Sequence, residues 1–183
     1  LLENFRNTGV DVIGFEPSKT IAELANNKGV KTLNKFFNIQ NLEMIKKFHS
    51  SVDIICSANV IAHIPDLTDV IKSVDKLLSD KGLLIFEEPY LGSMFSKVSY
   101  DQIYDEHIFM FSVSSVMKIF KLYNFDLINV VPQKTHGGSM RYVVGRSKQH
   151  KINKIFDLFD FELINVLPQN THGGSMRYII GRK

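Results

Sequence analysis

SVDIICSANVIAHIPDLTDVIKSVDKLLSDKGLLIFEEP, residues 51–89, reads as strand, helix, strand. SVDIICSA (51–58) is the most strand-like run of the chain, an aliphatic and β-branched stretch of the length expected for a buried strand. Pro65 and Asp66 close a loop. LTDVIKSVDKLLSD (67–80) then spaces its apolar residues for one helix face and meets a stop at Lys81-Gly82. LLIFEE (83–88) is the next strand, ended by Pro89. Two apolar strands joined by an amphipathic helix predict a parallel pair with a right-handed crossover.

The same alternation extends in both directions. VDVIGFE (10–16), bounded by Gly9 and Pro17, suits a buried parallel strand. Pro17-Ser18 opens a helix to about Lys28, with Ile21, Leu24 and Ala25 on one face and Gly29 as its stop. VKTL (30–33) is a second strand, and a helix at 40–48 carries Leu42, Ile45 and Phe48. Downstream, 113–124 is helical, and DLINVVP with MRYVVGR forms an antiparallel pair closing one sheet edge around QKTHGGS. The expected fold is α/β: a doubly wound, Rossmann-like parallel sheet with an antiparallel hairpin edge.

Residues 118–146 return as 154–182, about 36 positions on, with substitutions that mostly preserve character. Tyr123 becomes Phe159, Asp126 becomes Glu162 and Val143 becomes Ile179. Two copies fall short of the three or so that a solenoid needs. The organisation predicted is a domain over 1–147 and a duplicated helix–hairpin segment over 148–183, copied from 112–146. The copy's helix and hairpin have no evident place in the same sheet, although its strands keep the edge-pairing capacity of the first.

The 183 residues are 44% hydrophobic and 22% charged, ordinary values for a globular protein. A net charge of +3 without basic runs speaks against a nucleic-acid partner. The single cysteine, Cys56, excludes a disulfide framework and makes a reducing, cytoplasmic setting the default. No apolar stretch approaches the ~18 residues of a membrane span. The opening at Leu1, in mid-pattern, predicts a piece of something longer.

Ligands of open α/β sheets bind at the carboxyl ends of the strands. Glu16 ends the first strand, where an acid accepts hydrogen bonds from ribose hydroxyls or favours the following helix dipole. Ser57-Ala58-Asn59 ends the third run, with His63 in the loop after it. Tyr104-Asp105-Glu106-His107 sets a phenol, two carboxylates and an imidazole among apolar neighbours. Such a string suits a general base, or a turn whose polar tips face water. Gly137-Gly138 in THGGSMR brings amides close to a phosphate with Arg141 in support, or makes a tight turn. The histidines show no ligand spacing, so no metal is expected.

Taken together, FEPS, ANVIAHIPDL, GLLIFEEPYLGSM, SYDQIYDEHIFMFS and THGGSMRY resemble the sugar-nucleotide C-methyltransferases over Gly9–Arg146. The resemblance implies a class I methyltransferase sheet, S-adenosylmethionine as cofactor and a nucleotide-linked keto-deoxysugar as substrate. A base removes the proton next to the ketone, and the enolate attacks the sulfonium methyl. His107 matches the base, Tyr104 and Glu106 line its pocket, and His63 matches a second active-site histidine. Cofactor contacts fall on Glu16 (ribose), Pro17, Phe37 (adenine), Ala58 and Asn59. Substrate contacts fall on Tyr90, His136, Ser139 and Arg141.

Family members also carry an N-terminal zinc-binding domain and a Gly-rich turn after the first strand, and LLENFRNTG matches the helix after that turn. The resemblance therefore implies a sheet incomplete at its N-terminus, lacking its central first strand and leaving a buried edge unpaired. Other readings are a non-catalytic truncated remnant and an O-methyltransferase of the same fold. A nicotinamide-dependent oxidoreductase also places an acid near Glu16, but no Tyr-x-x-x-Lys pair accompanies it.

Overall fold

Asp66 opens the helix at the centre of the fold: its carboxylate accepts the Asp69 N–H at 2.9 Å, satisfying an amide that the first turn leaves without an intrahelical partner. This helix, α4 (Leu67–Leu77), buries Leu67, Val70, Ile71, Val74 and Leu77, one stripe at helical spacing. The computed structural model describes residues 1–147 and 178–182.

The elements before α4 are α1 (Leu2–Asn7), β1 (Asp11–Phe15), α2 (Lys19–Asn27), β2 (Thr32–Leu33), α3 (Leu42–Lys46) and β3 (Val52–Ala58). After it come β4 (Leu78–Pro89), α5 (Leu91–Lys97), α6 (Val113–Lys121), β5 (Phe125–Gln133), β6 (Ser139–Arg146) and β7 (Tyr178–Arg182). A one-turn 3-10 helix at Ile61–His63 follows β3. The strands form one seven-stranded sheet in the order β2-β1-β7-β3-β4-β6-β5. The pairs β1/β2 and β3/β4 are parallel. The hairpin β5/β6 closes the edge beside β4 in antiparallel fashion, as expected. Pro132 sits in β5, the outermost strand, where a missing N–H costs no ladder bond.

Two expectations are corrected. The helix read over 67–80 stops at Leu77, because Leu78 already pairs with Val52 as the start of β4. The next matched pair is Ile54↔Leu83, so the Lys81-Gly82 stop lies within an irregularity of the strand. The sheet also has no unpaired edge at its centre. β7, the last strand of the copied segment, lies between β1 and β3 and pairs antiparallel with both. The rest of the copy, residues 148–177, falls outside the described residues.

α5 was not anticipated from the sequence. A Cβ at its Gly92 would lie 2.5 Å from the Tyr90 ring, so any larger residue there displaces that ring. The main core lies on one face of the sheet, where strand alternation sets Ile13, Phe15, Ile55, Phe86 and Tyr142 together, with Phe120 of α6 against them. Val12 and Cys56 of the opposite face belong to a smaller cluster. Phe86 and Tyr142 stack with ring centroids 4.9 Å apart.

Candidate active site

The carboxyl end of β4 supplies Glu87 and Glu88 side by side, and strand alternation sends them to opposite faces. Glu88 is 0% exposed. Its Oε1 accepts the N–H groups of Val60 at 2.9 Å and Ile61 at 2.7 Å, the entry to the one-turn helix that carries His63. Burial pushes the Glu88 carboxyl up to about 7 against the opposing pull of these amides, with the neighbouring Glu87 charge adding to the rise. The carbonyl of Ala62 then accepts the N–H groups of Ile108 and Phe109, at 2.9 and 3.2 Å. The turn bearing His63 is thus tied to the segment bearing His107.

The imidazoles of His63 and His107 lie with centroids 4.9 Å apart. His107 Nδ1 is 2.8 Å from the carbonyl of Gln102, and His63 Nδ1 is 2.7 Å from that of Glu106. A carbonyl only accepts, so each Nδ1 carries a proton, and in the neutral form of His107 the lone pair is on Nε2. The Tyr104 hydroxyl sits 2.8 Å from His107 Nε2 and donates to it. Burial is the main influence holding His107 below its ordinary pKa. The Gln102 carbonyl works against that shift, and charge on His63 and His136 reinforces it. Burial, then the Glu106 and Glu88 charges, push the Tyr104 phenol up. An imidazole kept neutral and a phenol kept protonated suit a base and a hydrogen-bond donor.

The β5–β6 connection brings a further imidazole. His136 Nε2 lies 3.2 Å from Asn59 Nδ2. Both residues are left-handed, at φ 48° and 55°, a conformation that needs support from its surroundings. Support comes from Glu87, whose carboxylate accepts from Thr135 Oγ1 at 2.8 Å and from Arg141 at 3.0 Å. Gln102 and Lys97 donate to the carbonyls of His136 and Gly137.

The expected residues thus sort by place. His63, Tyr104, His107, His136 and Asn59 converge at the carboxyl end of β3 and β4. Glu106 joins them through its backbone carbonyl, while its side chain is exposed. Arg141 is buried and paired with Glu87, and Ser139 is buried with its hydroxyl on the Thr135 carbonyl. Tyr90 caps α5, its N–H bonded to the Gly138 carbonyl.

Glu16 is buried at the end of β1 and accepts the Ser18 N–H at 2.8 Å, the local role weighed for it. Pro17 is half-buried beside it, and Asn34 fastens this turn by donating to the carbonyls of Glu16 and Pro17. Phe37 is buried edge-on to Phe15 at 5.4 Å. Ala58 ends β3. A cavity of about 200 Å³ between α1, β1 and α2 touches Glu16 but none of the histidines. Among the described residues, no cluster of His, Cys, Asp or Glu could hold a metal, and no helix is long and apolar enough to cross a membrane. Sequence reasoning passed over Glu87, Glu88, Gln102 and Asn34.

The family model described as a methyltransferase domain matches residues 1–130. The chain belongs to the methyltransferase family. It is 33% identical over 139 residues to C-methyltransferase NovU of Streptomyces niveus, covering 76% of this chain and 33% of that protein. The chain therefore spans about a third of the length of this curated relative.

Two solved structures share the fold at low identity. One is a SAM-dependent methyltransferase from Anabaena variabilis, with a TM-score of 0.55, 14% identity, and coverage of 73% of this chain and 67% of that one. The other is magnesium protoporphyrin IX methyltransferase from Synechocystis with bound SAH, with a TM-score of 0.52, 15% identity, and coverage of 74% and 64%. S-adenosylmethionine is the cofactor implied for this methyltransferase. The residues present fit it: Ser57 Oγ and Asn59 Oδ1 are buried without a protein partner, at the strand ends where such a fold binds its ligand.

Proposed function

We propose that this methyltransferase adds a methyl group to a carbon next to a ketone in a nucleotide-linked deoxysugar, with His107 as the base. The observation that carries the reading is the bond pattern of His107, Nδ1–H on the Gln102 carbonyl and Nε2 facing the Tyr104 hydroxyl. The resemblance to sugar-nucleotide C-methyltransferases and the similarity to NovU, itself a C-methyltransferase, favour carbon as the acceptor.

Glu16, Ser57 and Asn59 would hold the cofactor, which when bound supplies an electrophilic methyl group on sulfur. His107 Nε2 takes the proton from the carbon acid as the Tyr104 hydroxyl turns from the imidazole to the ketone oxygen. The phenol then donates to the oxygen where the enolate charge gathers, which leaves the carbon as the nucleophile for the methyl group that the cofactor would supply. The resulting imidazolium keeps its orientation through Gln102. His63, its ring centroid 4.9 Å from that of His107, would share a proton or orient the sugar. His136 and Tyr90 border the substrate side.

The test is deuterium wash-in at the α carbon of a nucleotide-linked keto sugar in heavy water. Exchange should depend on His107 and vanish in His107→Ala, with circular dichroism unchanged. Exchange at an undiminished rate in that variant sinks the assignment.

A further inference from the structure

The two halves of the sheet that carry the proposed cofactor contacts are joined through one strand. Glu16 follows β1, and β1 pairs with β2 and β7. Asn59 follows β3, and β3 pairs with β4 and β7. β7 is therefore the bridge, in register Ile180↔Ile13 on one side and Ile180↔Ile55 on the other. Its first residue, Tyr178, is level with Phe15, and Ile179 is level with Cys56. Its amino end thus lies at the carboxyl ends of β1 and β3: Tyr178 stops one residue short of Glu16, and the pairing with β3 ends at Cys56, one residue before Ser57.

Strand spacing turns this into a dimension. Neighbouring strands lie about 4.8 Å apart, so a single intervening strand sets β1 and β3 about 10 Å apart. Both flanks are buried: Ile13, Phe15 and Ile55 are fully enclosed, so the slot has strong reason to hold an apolar strand. The filling sequence, Tyr178-Ile179-Ile180-Gly181-Arg182, is the copy of Tyr142-Val143-Val144-Gly145-Arg146 in β6, which pairs antiparallel with β4 on one side and β5 on the other. The duplicated sequence has taken a second position in the same sheet.

We infer that the duplicated segment works as a spacer strand: β7 sets the separation of Glu16 from Asn59 and so builds the width of the cofactor crevice. The inference rests on the proposed cofactor site and assigns the repeat a positioning role in it. No covalent role follows for β7.

Cys56 makes the register testable, because it is the chain's single cysteine and lies directly opposite Ile179. In Ile179→Cys, oxidation during refolding should close an intrachain disulfide between positions 56 and 179. The partners lie at the Cα spacing of a directly opposed antiparallel pair, which suits such a bond. Ile180→Pro removes a bridging N–H from the middle of the slot. In the full chain it should lower affinity for S-adenosylhomocysteine, read by isothermal titration, tenfold or more. Amide exchange should show lost protection in β1 and β3 but retained protection in β4, β5 and β6.

Failure of the disulfide to form, or unchanged affinity and protection in Ile180→Pro, overturns the inference. Absence of S-adenosylhomocysteine binding by the unsubstituted chain overturns the cofactor site and the crevice role with it. The disulfide and exchange patterns then still decide whether β7 joins the two halves.

Discussion

Tyr104 and His107 face one another with ring centroids 4.1 Å apart and the phenol oxygen 2.8 Å from Nε2. The hydroxyl can donate only to the unprotonated nitrogen, so the bond favours neutral imidazole, in the same direction as the burial of the ring. A base that must be neutral loses activity as pH falls through its pKa. The acid limb of kcat/KM therefore lies below the ordinary histidine value of about 6.5. Tyr104→Phe should raise the His107 pKa, followed by the Cε1 proton shift, and move that limb to higher pH. Turnover should fall about a hundredfold, the usual size of a lost oxyanion donor.

Arg141 and Glu87 form an ion pair with both side chains nearly enclosed, at 10% and 9% exposure. Removing one partner of a buried pair leaves the other charged and without compensation, at a cost of about 3–5 kcal/mol. Arg141→Ala should lower the urea midpoint accordingly, and Glu87→Gln combined with Arg141→Met should recover most of the loss. The Thr135 contact to Glu87 carries the effect to the loop of His136. A loss below 1 kcal/mol in Arg141→Ala would show the pair to be better solvated than its burial indicates.

Val98 ends α5 in the left-handed region, at φ 56° and ψ 42°, with 61% of its surface exposed. A β-branched residue there pays about 1–2 kcal/mol in clashes that asparagine tolerates better. Val98→Asn should raise the melting temperature by about 2–4 °C, while Val98→Ile should leave it unchanged. Scanning calorimetry decides.

How much of this could be read from residues alone follows the range of the interactions. Apolar runs such as 10–16, 51–58 and 83–88 showed as strands because burial on both faces leaves a local signature. Tyr104 and His107 stood out because they lie three residues apart. α5 was hidden, since seven residues containing Gly92 and two serines carry little periodic signal. The early start of β4 depended on Leu78 meeting Val52, a contact no local pattern records. The seat of 178–182 was illegible for the same reason: its apolar residues fit many slots, and the choice belongs to β1 and β3. Glu88 offered a clue that went unused. Two consecutive acids ending a buried strand cannot both face solvent when side chains alternate.

That buried acid gives the chain a pH dependence of its own. The folded-state value of about 7 stands above the ordinary 4.5, so between those limits the folded protein binds a proton that the unfolded chain releases. Stability is then greatest below about 4.5 as far as this group is concerned, and declines as pH rises through about 7. The whole difference amounts to about 3 kcal/mol. Glu88→Gln keeps an oxygen for the Val60 and Ile61 amides and loses the ionisation. It should therefore flatten the denaturant midpoint between pH 5 and pH 8 (about the span of the titration) and exceed the unsubstituted chain at the upper end. Glu88→Ala removes the acceptor too and should be less stable at every pH. Parallel curves for the unsubstituted chain and Glu88→Gln would show that Glu88 ionises as an ordinary carboxyl, and the buried amide cap of His63's turn would need another account.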